Sequence, residues 1–185
     1  GTSYVGMSNP VLQSAEIFYE KLLLNKAKKY CHSFCSVSEA GSQWLKSLNI
    51  TSDAVLYNSV NEKRIHNFIA DNTIDWRTKL GLSPDTPIIV FTGRLIREKG
   101  IFQLITAFSH LKCEKKPALV IAGDGPLYTE LNSQHIPNVF LLGRIEQADV
   151  MSLLSQSNIF CLPSDSEGFP TSVLEAIVCK CYVIT

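Results

Sequence analysis

Residues 164–176, SDSEGFPTSVLEA, have the types and spacing best suited to chemistry. Glu167 lies in a turn that contains glycine and proline, and Pro170 and Thr171 begin a predicted helix that has Glu175 inside it. The free amides of a first helical turn and the helix dipole together form an anion site. A carboxylate can accept paired hydrogen bonds from vicinal hydroxyls. The segment therefore predicts a ligand in which a sugar is attached to a diphosphate.

The two carboxylates are too far apart to form a close acid–base pair. Glu175 follows Glu167 by eight residues, which corresponds to about 12 Å along a helix. The spacing favours contacts with two ends of one elongated ligand. The alternative for Glu175 is an ordinary carboxylate on a helix surface.

An earlier loop, TGRLIREKG, carries cationic side chains. Gly93 permits close approach of the backbone, and Arg94 and Lys99 extend from the same loop. Arginine offers a fixed fork of donors and lysine a compact charge, and both suit a diphosphate. The alternative is a solvated basic surface.

Two more loops contain glycine next to a charged residue. In AGDGPL, Asp124 is predicted to cap the following helix. In LGRI, Gly143 and Arg144 are predicted to lie where backbone groups could contact a nucleobase edge, and a simple turn is the alternative.

These loops follow apolar segments that the pattern predicts as buried parallel strands. Helices are predicted between the strands, so the fold class is α/β, with a doubly wound, Rossmann-like parallel sheet. Ligands of such sheets bind beyond the carboxyl ends of the strands, where all of these loops would meet. The predicted strands are 88–92, 118–122, 139–142, 159–162 and 182–184.

The first third of the chain has its own alternating pattern. A helix is predicted over 11–29, a strand near 33–37, a helix capped by Ser38, and a strand over 53–57. Polar residues 58–61 indicate a linker, and the segment up to about residue 70 is only weakly amphipathic. A short helix over 74–80, ended by Gly81, follows. The predicted domains are therefore 1–60 and 61–185.

Composition narrows the function classes. The chain has 185 residues, 45% hydrophobic and 18% charged, with a formal net charge of zero. These values predict a packed core and argue against disorder and against non-specific binding of nucleic acids. Gly1 at the start and the strand-like CYVIT at the end favour a fragment of a longer polypeptide.

The six cysteines do not have the spacing of a zinc site. No metal ligands are therefore predicted. Cys35, Cys161 and Cys181 lie in strand-like apolar segments and are predicted to act as small buried hydrophobes. A reduced, cytoplasmic compartment is the simplest interpretation.

The ordered series of loops resembles the C-terminal half of the retaining glycosyltransferases of GT-B architecture, family 4 (glycosyl transferases group 1). The stretch from Glu167 to Glu175 resembles the family's E-x7-E signature, VFTGRLIREKG its G-R-L…K-G segment, and IAGDGPL its G-x-G-P turn. Residues 37–61 resemble the end of the N-terminal domain and the hinge. The hinge reads YNSVN, where the family often has a glycine and an acidic residue.

The resemblance implies a role for each matching residue. Arg94 and Lys99, with Gly93, would bind the diphosphate of the donor, and Glu167 would accept hydrogen bonds from sugar hydroxyls. Glu175 would hold the ribose, and Arg144 would lie beside the base. The amides of Gly168 and Phe169 would contact the sugar, and those near Thr171 and Ser172 the phosphates. Arg94, Lys99 and Glu167 are the candidates for catalysis.

The resemblance also implies an activity and its partners. A hexose-type sugar would pass from a nucleotide-diphosphate sugar to a glycan or lipid-linked acceptor, with retention of configuration and without a metal or another cofactor. Residues 1–60 would be the end of the acceptor domain, so the segment alone would be inactive. Polysaccharide synthesis at the cytoplasmic face of the membrane is a common setting of the family, with membrane association through parts outside this segment.

Other classes stay open at this point. The chain could be a nucleotide-sugar-binding module that needs a partner chain, or a sugar-nucleotide epimerase or hydrolase on the same fold. A non-catalytic scaffold is the remaining alternative, and it would not bind nucleotide sugars.

Overall fold

The computed structural model describes residues 10–165 and 167–185, in which helices alternate with parallel strands. The helices are α1 (Pro10–Tyr30), α2 (Glu39–Ser47), α3 (Glu62–Asp71), α4 (Trp76–Lys79), α5 (Ile101–Ser109), α6 (Tyr128–Ser133), α7 (Gln147–Ser155) and α8 (Thr171–Val178), with a 3-10 helix at Arg97–Lys99. The strands are β1 (Cys35–Ser36), β2 (Ala54–Val55), β3 (Ile88–Thr92), β4 (Ala118–Ala122), β5 (Val139–Gly143), β6 (Ile159–Cys161) and β7 (Tyr182–Ile184).

Contacts within the chain divide it into two compact units. The described part of the first unit runs to Asn58 and includes loop 167–169, and the second unit holds the rest. That residues 1–60 and 61–185 are a remnant of the family's acceptor domain and its donor domain stays a prediction.

The first unit is built around a short parallel pair, β1 and β2. Helix α2 starts where the sequence predicts, because the Ser38 hydroxyl accepts a hydrogen bond from the Gly41 amide at 3.0 Å. Helix α1 carries exposed apolar side chains, among them Phe18 and Tyr19.

The second unit confirms the predicted doubly wound α/β architecture. Within its described residues, the five strands form one parallel sheet in the order β5-β4-β3-β6-β7. The chain runs outward from β3 through β4 to β5, and then returns to the other side of β3 for β6 and β7. This reversal creates a topological switch point between β3 and β6, where ligands of open α/β sheets bind.

The core of the second unit lies on both faces of β3 and β4. Strand β4 is buried along its whole length, as a parallel strand covered by helices on both faces should be. Trp76, Phe91 and Phe160 are among the largest fully buried side chains. Their burial fixes the sheet, and the loops at its carboxyl edge start from that rigid base.

Residues 62–71, for which the sequence pattern predicts no element, form helix α3, because the Asn61 side chain caps it by accepting from the Arg64 amide at 3.0 Å. Two local predictions are wrong. Asp124 caps no helix, since its carboxylate accepts from the adjacent Gly125 amide at 2.7 Å. Cys35 is exposed because its strand is short and alternates, while Cys161 and Cys181 are buried as predicted.

No helix in the described part of the chain combines the length and apolar character that crossing a bilayer requires.

Candidate functional site

A cleft of about 660 Å³ opens at the carboxyl edge of the sheet in the second unit. Its walls come from the segments that follow β3, β4, β5 and β6 and from the first turns of α8. The lining residues are Thr92, Gly93, Arg94, Lys99, Ala122, Gly123, Asp124, Gly125, Arg144, Ile145, Gln147, Val150, Met151, Leu162, Thr171, Ser172 and Glu175.

Backbone hydrogen bonds tie the strand ends that form the floor of the cleft. The Gly93 amide donates to the Ala122 carbonyl at 3.1 Å, and the Gly123 amide donates to the Gly143 carbonyl at 2.8 Å. Glycine is required at position 123 because a β-carbon there would overlap the Gly93 carbonyl oxygen. The loops after β3, β4 and β5 therefore form one closely packed rim.

The loop after β3 brings both of its predicted cations into the cleft. Arg94 and Lys99 line it, with Lys99 at the end of the 3-10 helix. Gly100 ends that helix with a left-handed backbone, φ 69°. The loop is also held to the segment after β6, since the Asp165 amide donates to the Glu98 carbonyl at 3.1 Å.

Arginine side chains in the cleft are available to a ligand. Neither the Arg94 nor the Arg144 guanidinium group has a hydrogen-bond or ion-pair partner among the described residues, and both residues are exposed. An arginine without an internal partner keeps all of its donors for an anion.

Helix α8 presents its N-terminus to the same cleft. Pro170 occupies the N-cap position without a side-chain cap, and Thr171 and Ser172 line the cleft. The first-turn amides of a helix have no acceptor within the helix, and the helix dipole gives this end positive character. An anion beside Thr171 and Ser172 would satisfy these amides.

Glu175 is the acidic side chain of the E-x7-E signature that lines the cleft. Burial raises the pKa of its carboxyl, and a hydrogen bond with Gln147 acts in the opposite direction. Gln147 also lines the cleft, although it belongs to no motif in the sequence.

The residues at the other end of the signature belong to the first unit. Glu167, Gly168 and Phe169 belong to the first unit, and the cleft lining among the described residues does not include them. There the Asn58 side chain donates to the Phe169 carbonyl at 2.7 Å, and the rings of Tyr57 and Phe169 lie 5.8 Å apart.

The structure thus brings most of the predicted site residues together. Their chemical roles stay predictions. Those that line the cleft are Gly93, Arg94, Lys99, Arg144, Thr171, Ser172 and Glu175. In residues 10–165 and 167–185, no group of three or more His, Cys, Asp or Glu side chains is placed to hold a metal ion.

Solved structures of other proteins share the fold of this chain. Anabaena HepE in complex with UDP and glucose matches with a TM-score of 0.72 and 19% identity, over 88% of this chain and 46% of HepE. The HepE complex with UDP-glucose gives 0.72 and 20% identity, over 88% of this chain and 47% of that one. Identities this low establish the fold alone.

Sequence comparison identifies the family. The family described as glycosyl transferases group 1 matches residues 72–185, and the chain therefore belongs to it.

Individual relatives match over parts of the chain. TuaC of Bacillus subtilis, provisionally named a teichuronic acid biosynthesis glycosyltransferase, is 40% identical over 58% of this chain and 26% of its own length. The Campylobacter jejuni N,N'-diacetylbacillosaminyl-diphospho-undecaprenol alpha-1,3-N-acetylgalactosaminyltransferase is 27% identical over 82% of this chain and 41% of its own length. The chain spans less than half the length of these relatives.

Proposed function

We propose that the chain is the donor-binding part of a retaining, metal-independent glycosyltransferase of family 4. It takes a hexose-type sugar from a nucleotide-diphosphate sugar for transfer to a glycan or lipid-linked acceptor. The observation that carries the proposal is one cleft lined by Arg94, Lys99, Arg144, the start of α8 and Glu175. Family membership supports it independently.

The diphosphate is the part of the donor that this cleft suits best. Arg94 and Lys99 approach from one wall and the free amides at Thr171 and Ser172 from another. A diphosphate between them would receive charge-assisted hydrogen bonds from both sides. Because these cations belong to the chain, the proposal needs no metal ion to offset the phosphate charge.

Glu175 and Arg144 complete the nucleoside end of the proposed site. The Glu175 carboxylate has two oxygens, which can accept from the two hydroxyls of a ribose. Arg144 lies at the rim, in the loop after β5, where it would border the base. The sugar would contact Glu167 and the amides of Gly168 and Phe169, as the resemblance implies.

The proposed chemistry follows from where charge develops. Cleavage of the bond between the anomeric carbon and the diphosphate leaves negative charge on the leaving group. Arg94, Lys99 and the N-terminus of α8 would stabilise that charge in the transition state. Retention of configuration rests on the family resemblance, and no residue is assigned as a nucleophile.

The relatives suggest a setting for the whole protein. TuaC is named for teichuronic acid biosynthesis, and the Campylobacter enzyme is named for an undecaprenol-linked substrate. We infer that the acceptor is a growing glycan or a lipid-linked sugar, and that the protein works in the cytoplasm at the inner membrane face.

Calorimetric titration of the chain tests the donor site. The panel is UDP, UDP-glucose, UDP-N-acetylgalactosamine and GDP-mannose. The Arg94→Ala variant is expected to bind its best nucleotide about tenfold or more weakly, because a charge-assisted contact is lost. Arg97→Ala is the matched control: the Arg97 guanidinium lies over the Phe102 ring at 5.3 Å, and the residue is not in the cleft lining.

The titration can also contradict the proposal. No binding of any of the four nucleotides would refute the donor site, and equal losses in both arginine variants would refute the assignment of Arg94. Release of free UDP by the longest available form of the protein, without an acceptor, would favour the hydrolase alternative.

A further inference from the structure

Loop 167–169 is held by side chains that no motif assigns to the site. Asn58 Nδ2 donates to the Phe169 carbonyl oxygen at 2.7 Å, although the two residues are 111 positions apart. This bond is partly buried, so water competes with it less than at an open surface. It fixes the peptide group that joins Phe169 to Pro170, immediately before α8.

The ring of Phe169 has a second contact in the same unit. The Tyr57 ring lies 5.8 Å from it, centroid to centroid, at an interplanar angle of 56°. Tyr57 is itself held, since its hydroxyl donates to Glu39 Oε1 at 2.9 Å. Tyr57 and Asn58 are adjacent in sequence and thus contact the ring and the carbonyl of one loop residue.

These contacts leave the backbone amides of Gly168 and Phe169 available. Neither the Gly168 nor the Phe169 amide N–H has a hydrogen-bond partner within the part of the chain that the structure describes. The Phe169 amide, which a ligand could use, is therefore kept in place by the contacts of the Phe169 carbonyl and ring.

We propose that Asn58 and Tyr57 are positioning residues that hold loop 167–169 in the conformation that binds the sugar of the donor. The inference rests on the proposed function, and it assigns a role to the YN dipeptide of the hinge segment. Neither residue needs to contact the donor. Their loss should weaken contacts with the sugar and leave contacts with the nucleoside diphosphate intact.

The test uses a pair of near-isosteric variants with the same change of charge. Asn58→Asp removes the donor and places a carboxylate against the Phe169 carbonyl. Asn25→Asp changes an exposed asparagine on α1 and is the matched control. Calorimetry measures the affinity of each for UDP and for the tightest-binding of UDP-glucose and UDP-N-acetylgalactosamine.

We expect both variants to bind UDP as the unmodified chain does. The gain in affinity from UDP to the UDP-sugar should fall about 3- to 10-fold in Asn58→Asp only, as expected for one lost hydrogen bond. Tyr57→Ala should act in the same direction, and Tyr57→Phe less, because it keeps the ring contact.

A second measurement reports on the loop without any ligand. Endoproteinase Glu-C cleaves after Glu167, and cleavage after Glu114, in the exposed segment between α5 and β4, is the internal reference. Release of the loop should speed cleavage after Glu167 several-fold relative to Glu114 in Asn58→Asp. Asn25→Asp should keep the original ratio.

The outcomes separate this inference from the proposed function. Unchanged cleavage, or an unchanged gain from UDP to the UDP-sugar, in Asn58→Asp overturns the inference. The inference is also overturned if the unmodified chain binds UDP but binds neither UDP-sugar more tightly than UDP. If the unmodified chain binds no nucleotide, the proposed function fails, and the cleavage ratio still decides whether Asn58 holds the loop.

Discussion

The side chains that line the cleft include both cations and a carboxylate. Arg94 and Arg144 offer donors without internal partners among the described residues, and they suit an anion. Glu175 lies in the same cleft and would repel that anion at close range. A ligand with a diphosphate at one end and hydroxyls at the other reconciles the two, because the carboxylate then meets donors instead of phosphate oxygens.

Glu175 should discriminate ribose from deoxyribose. A ribose offers two vicinal hydroxyls to the carboxylate and 2'-deoxyribose offers one. The unmodified chain should bind UDP about 3- to 10-fold more tightly than 2'-deoxy-UDP, and Glu175→Gln should lose much of this preference. Calorimetry with both nucleotides checks it. Glu130→Gln, an exposed carboxylate on α6, should keep the preference.

The same carboxyl should reduce stability at neutral pH. Burial raises the pKa of Glu175 above 4.5, so the folded chain binds this proton more tightly than the unfolded chain. Stability is therefore lost as the pH rises through the unfolded and then the folded pKa. Glu175→Gln should gain a small amount of stability at pH 7, about 0.5 kcal/mol or less, and none at pH 3. Urea unfolding at both pH values measures this, and a larger gain at pH 3 would contradict it.

Residues differ in how far the sequence could predict them. The sequence could predict that Arg94, Lys99 and Glu175 come together. Each occupies a motif position in a loop or helix, and the apolar strands fix the direction of these elements. Gln147 has no motif, and its contact with Glu175 depends on the packing of α7 beside α8. The predicted capping role of Asp124 is wrong, because its carboxylate accepts a hydrogen bond from the Gly125 amide instead.

At the scale of elements, Gly100 connects the 3-10 helix to α5 and so sets the position of Lys99. Its φ is 69°, and a β-carbon would overlap the Pro163 carbonyl oxygen in the segment after β6. The glycine is therefore needed for both its backbone conformation and its lack of a side chain. Gly81 has a similar φ of 65° with no atom within 4 Å of the same position.

Substitution of these two glycines by alanine should lower the free energy of unfolding by different amounts. Gly81→Ala should cost about 1 kcal/mol, from the left-handed conformation alone. Gly100→Ala should cost about 2–4 kcal/mol, because overpacking adds to that strain. Denaturant unfolding measures both. Equal costs would mean that the segment after β6 moves aside freely, contrary to the close packing seen at Pro163.

Elements were predictable where the pattern is local. Strands β3, β4 and β7 have the predicted bounds, because each is a short apolar run between polar or turn residues. Helix α3 was missed, since its start depends on the Asn61 cap, which the sequence also allows in a linker. The order of strands in the sheet depends on long-range pairing, and the sequence pattern alone did not specify it.

At the scale of the molecule, the first unit and the second unit, which contains the cleft, each have their own fluorescent reporter. The chain has two tryptophans, Trp44 in α2 of the first unit and Trp76 in the core of the second. Replacing either by phenylalanine leaves a single fluorescent reporter of one unit. The formal net charge of zero means that attraction of a nucleotide depends on the local cations of the cleft and not on the whole chain.

A nucleotide should therefore stabilise the unit that contains the cleft. A ligand at a hundred times its Kd adds about 2.7 kcal/mol to the state that binds it. In the Trp44→Phe variant, UDP should raise the unfolding midpoint reported by Trp76. In the Trp76→Phe variant, the midpoint reported by Trp44 should rise less, because the described residues lining the cleft all belong to the second unit. Equal shifts of both reporters would show that UDP stabilises the first unit as much as the second, which would contradict the assignment of the nucleoside diphosphate to the cleft of the second unit.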